Sequence, residues 1–294
     1  MTTAFVLGGG GVLGAHEVGM LRALAEAEIR PDLVVGTSVG AINGAFVAAD
    51  PDGAAERLDD LWHGHHLQRA FSGTLLGRAA RLLRSGTHLH AIEPLLQMLE
   101  NALPVTEFGD LKLPFNCVAA SIERATAHWF TSGPLAPAVM ASCAVPGLLP
   151  PVEVGGEHYF DGGLVDSIPV GRAIELGART VYVLHVGRIE RPLAPPQRLW
   201  QVGLVSFEIA RRHRFHEEMS SVPDDVRVHV LPSGGTQRPP DLSQLRYRQK
   251  TDVDANIQRA YAASTRYLAT LGLPVPRDRP LPSGEGGRRC CRPG

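Results

Sequence analysis

Cysteine is scarce: four residues in 294 cannot lay out a disulfide framework for a chain of this length. Cys117 and Cys143 lie in apolar surroundings and read as small buried hydrophobes, while Cys290 and Cys291 sit in a terminal stretch rich in Pro, Gly and Arg. An excess of charge of one sign is also missing. A formal net charge of -1 gives no whole-chain attraction for nucleic acid or anionic lipid. No apolar run is long enough to span a bilayer, and Met1-Thr-Thr enters an apolar strand at once, without the basic and long apolar segments of a signal peptide. Cytoplasmic residence is the resulting expectation. Nearly all basic side chains are Arg and can gather locally, so peripheral contact with the inner face of a membrane stays open. No internal repeat and no clean linker divides the chain, which is expected to form one domain over 1–274 followed by a disordered Pro/Gly/Arg-rich tail over 275–294.

What is present is an ordinary globular composition, 44% hydrophobic and 20% charged, with enough length to bury a sizeable core. Thr3 to Leu7 is a β-type run ended by Gly8 to Gly11. From Val12 onward apolar residues recur at helical spacing as far as Leu24, and Leu33 to Val35 forms a second strand ending at Gly36 to Gly40. Ala41 to Ala49 reads as a helix of small residues. Further strands are expected at Phe115 to Ser121, His128 to Thr131, His158 to Phe160, Thr180 to Val186 and Val226 to Leu231. Helices are expected at Ala138 to Ala144, Val170 to Leu176, Leu199 to Met219 and Asp252 to Leu271. Strands alternating with helices predict an α/β fold, a three-layer α/β/α sandwich around a mostly parallel sheet. Ala54 to Met98 is helical in tendency, with Arg78, Arg81 and Arg84 interleaved among leucines. It reads as an amphipathic helix packed on the sheet, or alternatively as a cap or lipid-facing surface.

The chemistry gathers at the ends of the first two strands. In Gly36-Thr37-Ser38-Val39-Gly40 the glycines allow a sharp passage from strand to helix that leaves a serine proud of the sheet edge. Ser38 is therefore the candidate nucleophile, since a serine hydroxyl attacks only when exposed, oriented and relieved of its proton. The oxyanion so formed needs fixed donors. Gly9, Gly10 and Gly11 can turn backbone amides toward one point with no Cβ in the way, and Val39, first residue after the nucleophile, completes the candidate oxyanion hole. Gly9-x-Gly11-x-x-Gly14 also matches a dinucleotide fingerprint formally. The acidic residue that should end the second strand is replaced by Gly36-Thr37-Ser38, however, and no Lys-Ser or Lys-Thr follows for a phosphate loop. The base is less defined: many histidines follow Ser38 with no local context to favour one, and Asp161 in Asp161-Gly162-Gly163 reads either as a catalytic carboxylate or as a turn former.

Gly8 to Gly14, Gly36 to Gly40, Ala141 to Pro151 and Asp161 to Gly163 resemble, in this order, the four blocks of the patatin-like phospholipase family in its short bacterial form. The resemblance runs from about Thr3 to Val186. It implies a Ser-Asp dyad, with Ser38 as nucleophile, Asp161 as general base and Gly9 to Gly11 as oxyanion loop, hydrolysing lipid or lysophospholipid carboxyl esters through an acyl-enzyme without metal or diffusible cofactor. Ser142-x-x-x-Pro146 and Pro150-Pro151 match a segment that lines the acyl site and positions the dyad. Leu13 stands where the family usually carries Arg or Lys, which favours a neutral ester or lysolipid over a charged phospholipid. The same departure motivates a second expectation, a catalytically weak lipid-binding or regulatory protein on this scaffold.

Overall fold

The computed structural model describes residues 1–64, 88, 90–186, 192–197, 199–235 and 250–274. The basic segment around Arg78 to Arg84, Cys290-Cys291 and the expected tail lie outside the described residues. Among the described residues eight strands form one sheet: β1 (Thr3–Leu7), β2 (Leu33–Thr37), β3 (Phe115–Ser121), β4 (Thr126–Phe130), β5 (Val152–Val154), β6 (Glu157–Asp161), β7 (Thr180–Leu184) and β8 (Arg227–Leu231). Strands β3, β2, β1, β7 and β8 are mutually parallel in that order, and β4, β6 and β5 add an antiparallel end. The helices are α1 (Ala15–Glu26), α2 (Val39–Ala49), α3 (Ala54–His63), α4 (Glu93–Ala102), α5 (Leu135–Ser142), α6 (Val170–Glu175), α7 (Leu199–Ser220) and α8 (Lys250–Thr270).

Successive strand residues point to opposite faces, and here each face has its own core. Phe5, Leu7, Val34, Tyr182 and Leu184 pack with α1, α2 and α8, while Ala4, Val6, Leu33, Val35, Val181 and Val183 pack with Val170, Ala173 and Phe215 of α6 and α7. This double cover explains why the central strands read as continuous apolar runs. The result is the three-layer sandwich with a mostly parallel sheet expected from the sequence. Cys117 and Cys143 are both buried thiols.

Helix α1 lies close against α8 at Gly19, where an added Cβ would run into the Ile257 carbonyl and sit 2.7 Å from the Tyr261 amide. On a free helix surface Gly→Ala stabilises by about 1 kcal/mol. At Gly19 the sign is expected to reverse, with Gly19→Ala costing about 1–3 kcal/mol through overpacking against backbone that cannot rotate away. Urea unfolding midpoints of the two proteins check this.

Candidate active site

Strand β3 works as a ruler that brings two distant segments together. Cys117 to Ser121 pair with β4 along one edge of β3. Residues 115–118 pair with β2, and 119–121 with β6. Since 117–121 already have β4 on one side, β2 and β6 must share the other. They meet there head-on: Thr37 ends β2 opposite Val118, and Asp161 ends β6 opposite Ala119. The residue after Thr37 is Ser38, so the register alone delivers it to Asp161.

The local geometry completes the approach. Ser38 has φ 56° and ψ -126°, a positive φ in a non-glycine residue, and caps α2. Such a backbone costs about 1–3 kcal/mol and persists only where its surroundings hold it. Gly36 and Gly40 make the bend sterically feasible, since a Cβ on Gly36 would lie 2.8 Å from Ala41 Cα, and one on Gly40 would collide with the Leu7 carbonyl. Ser38 Oγ donates a 2.6 Å hydrogen bond to Asp161 Oδ2, and the Gly163 amide donates to Asp161 Oδ1 at 2.7 Å. No histidine intervenes. Asp161 is 5% exposed and Ser38 8%. Burial pushes the Asp161 carboxyl up from 3.8 to about 6, opposed by the bonds from Ser38 and Gly163, which favour the carboxylate.

The end of α5 fixes both partners. Ser142 Oγ accepts the Ser38 amide at 2.9 Å, and the Ala144 carbonyl accepts the Asp161 amide at 2.9 Å. The Ser142 block thus acts through one hydroxyl and one carbonyl, a division of labour that its sequence does not display. A further tie runs from Thr37 Oγ1 to the Asp166 carbonyl at 2.9 Å.

The glycine loop stands beside this pair. A Cβ on Gly9 would sit 3.3 Å from Ser167 Oγ and 3.4 Å from Ser38 Cβ, so the loop passes within van der Waals reach of the serine. Gly9 was expected to contribute an oxyanion donor, but its amide donates to the Ser167 carbonyl at 3.0 Å and is already engaged. The amides of Gly10 and Gly11 are not so engaged among the described residues, and Gly11 adopts a φ of 57° that favours glycine. Val39, opening α2, offers one of the amides that a helix start leaves without an intrahelical acceptor. Leu13 follows within the 3-10 turn Gly11–Gly14 and places no charge there.

Beneath the loop lies a buried polar group that sequence reasoning missed. Glu17, on α1, is 0% exposed, and burial raises its carboxyl well above the ordinary 4.5, opposed by the bond from Asn43. A raised carboxyl stabilises the fold fully below 4.5 and loses that contribution as pH rises toward its folded value. Glu17→Gln, which cannot ionise, is therefore expected to gain stability relative to wild type at pH 8 and to lose the advantage near pH 4. Thermal unfolding at the two pH values measures it. The available signal was an acid set between Ala15, Val18 and Leu21 on a helix whose neighbours all face the core. Among the described residues no three His, Cys, Asp or Glu side chains cluster so as to hold a metal ion, and no helix is long and apolar enough to cross a membrane.

A parallel-sheet sandwich whose second strand turns sharply through a serine, with a buried carboxylate against that serine and a glycine loop alongside, defines an α/β protein of the nucleophile-elbow type. The profile of the patatin-like phospholipase family matches residues 5–174. This chain belongs to that family. Lysophospholipase NTE1 of Mycosarcoma maydis is 31% identical over 199 residues, covering 65% of this chain and 10% of that protein. Patatin-like phospholipase domain-containing protein 7 of Mus musculus is 30% identical over 187 residues, covering 63% of this chain and 13% of its own length. The chain thus spans about a tenth of the curated relatives it matches. VipD from Legionella pneumophila superposes with a TM-score of 0.46 at 15% identity, covering 92% of this chain and 67% of that one. Family membership supports hydrolase activity of the esterase kind in general.

Proposed function

We propose that this protein is a serine acyl-ester hydrolase acting on lipid or lysophospholipid carboxyl esters, with Ser38 as nucleophile and Asp161 as general base. The observation that carries the reading is the 2.6 Å bond from Ser38 Oγ to Asp161 Oδ2 at the head-on meeting of β2 and β6. As Oγ bonds to the ester carbonyl carbon, its proton passes to Asp161 Oδ2, and the charge on the former carbonyl oxygen faces the amides of Gly10, Gly11 and Val39. Collapse breaks the bond to the leaving alcohol, which takes the proton from Asp161. A water then gives its proton to Asp161 as it attacks the acyl-serine, and collapse returns that proton to Ser38 Oγ and releases the acid.

Two features support a neutral or lysolipid ester. Leu13 leaves the glycine loop without a cation for a charged head group, and fungal relatives of this chain are named lysophospholipase. A panel of neutral esters, lysophospholipids and diacylphospholipids tests the substrate class. Preference for the first two is expected. Lipid binding without turnover on any of them would instead favour the regulatory alternative.

The base also sets a pH dependence. Asp161 must be ionised to accept the proton, and its carboxyl sits at about 6. The value of kcat/KM is expected to be level above pH 7 and to fall about tenfold per unit well below 6, the slope of one protonation. A pH profile on a neutral ester measures it.

A further inference from the structure

Asn43 spends its whole side chain on three distant partners. One N–H of Nδ2 meets the Gly14 carbonyl at 3.1 Å and the other meets Glu17 Oε2 at 2.7 Å, while Oδ1 accepts Trp62 Nε1–H at 3.1 Å. All four residues are buried. Gly14 closes the turn that carries the glycine loop and caps α1, whereas Asn43 rides on α2, the helix that Ser38 caps. Gly14 is also wedged from both sides. A Cβ there would run into Val39 Cγ2 and lie 2.7 Å from Trp62 Cζ2.

Core packing alone does not call for this arrangement. Apolar residues at positions 17 and 43 together would fill the same space without burying a carboxyl, and Glu17 Oε1 has no hydrogen-bond partner among the described residues. A polar group left so costs about 1–3 kcal/mol. What the polar side chain provides, and an apolar one does not, is direction: it fixes one carbonyl at the base of the glycine loop against one turn of the serine's helix.

We infer that Asn43 is a positioning residue, a clamp that holds the amides of Gly10 and Gly11 in register with Ser38. The inference rests on the acyl-enzyme reading above, because only an oxyanion next to Ser38 makes that register matter. Displacing a donor by a fraction of an ångström leaves ester binding almost unchanged and weakens the transition state, so the loss should fall on kcat.

The test uses the full chain, with active sites titrated by a fluorophosphonate so that rates refer to folded protein. Asn43→Ala is expected to lower kcat on a p-nitrophenyl ester about 100-fold while KM moves less than about threefold. An alkyl trifluoromethyl ketone, whose adduct with serine carries an oxyanion, should lose affinity by a similar factor. A residue that merely supported the fold would lower stability and leave kcat per titrated site and ketone affinity intact, which would overturn the inference. Should Asn43→Ala not fold, Trp62→Phe removes the donor to Asn43 Oδ1 and, with it, the indole edge against Gly14, so the clamp loses two of its holds while an aromatic ring stays in the core. A fall of about tenfold in kcat at constant KM is then expected, and no fall overturns the clamp. Ser38→Ala is run alongside. If it leaves hydrolysis intact, the acyl-enzyme reading fails and the clamp with it. If it abolishes hydrolysis while both network variants keep wild-type kcat, the clamp alone fails.

Discussion

Ser38→Ala is expected to lose about four orders of magnitude or more in kcat on any ester the protein hydrolyses, because in the proposed mechanism Ser38 Oγ forms the acyl bond. The fold should register only the loss of the Ser38–Asp161 hydrogen bond. Alanine keeps the Cβ and so inherits the same positive φ of 56°. The tie from the residue 38 amide to Ser142 Oγ is a backbone donation and survives, as does the pairing of β2 along β3. Loss of turnover in a protein destabilised by no more than that one bond, about 1–3 kcal/mol, read by ester hydrolysis and urea titration, separates a chemical role from a structural one.

Asp161→Asn carries the second large effect, and its two consequences have opposite sign. An asparagine can turn Oδ1 to the Gly163 amide and its NH2 to Ser38 Oγ, which preserves the shape of the site. It cannot accept the serine proton. The loss expected is about 10²–10⁴-fold, the usual contribution of a positioned general base, and the remaining activity should lose the fall below pH 6. Stability should move the other way. The native carboxyl is raised from 3.8 to about 6 by burial, so its contribution to folding is complete below 3.8 and declines as pH rises to about 6. Asp161→Asn has no such group. It is expected to be more stable than wild type at pH 8 and to approach it near pH 4. A variant both less active and more stable is the signature of a carboxylate kept for chemistry at the expense of the fold.

Much of this site was legible in the sequence because its residues are forced by local geometry. A serine between glycines at a strand end, and a run of glycines before a helix, are patterns that few other structures require. They pointed to Ser38 and the glycine loop, which the structure brings side by side. The sheet followed from apolar runs of strand length, except β5, which is only three residues long and pairs with β6 across Gly155-Gly156. Both glycines have positive φ, as a two-residue hairpin turn needs, and that pair was the overlooked signal.

What the sequence hid was pairing across long separations. Asp161 is 123 positions from Ser38, and no local pattern joins them: the family resemblance implied the pair, and the shared edge of β3 is what brings the carboxylate to the serine. The occupation of the Gly9 amide by Ser167 is of the same kind, since nothing local to either residue announces it. Glu17, Asn43 and Trp62 come from three helices, and their common burial exists only after those helices pack.

The most direct test of the Ser38–Asp161 account is the covalent intermediate itself. A p-nitrophenyl ester turned over by the full chain, quenched in acid and digested, should yield the peptide containing Ser38 heavier by one acyl group, with the adduct on Ser38 and none in Ser38→Ala. Turnover that proceeds with the acyl group on another residue, or with no acylated peptide under conditions that trap a control serine esterase, would contradict it.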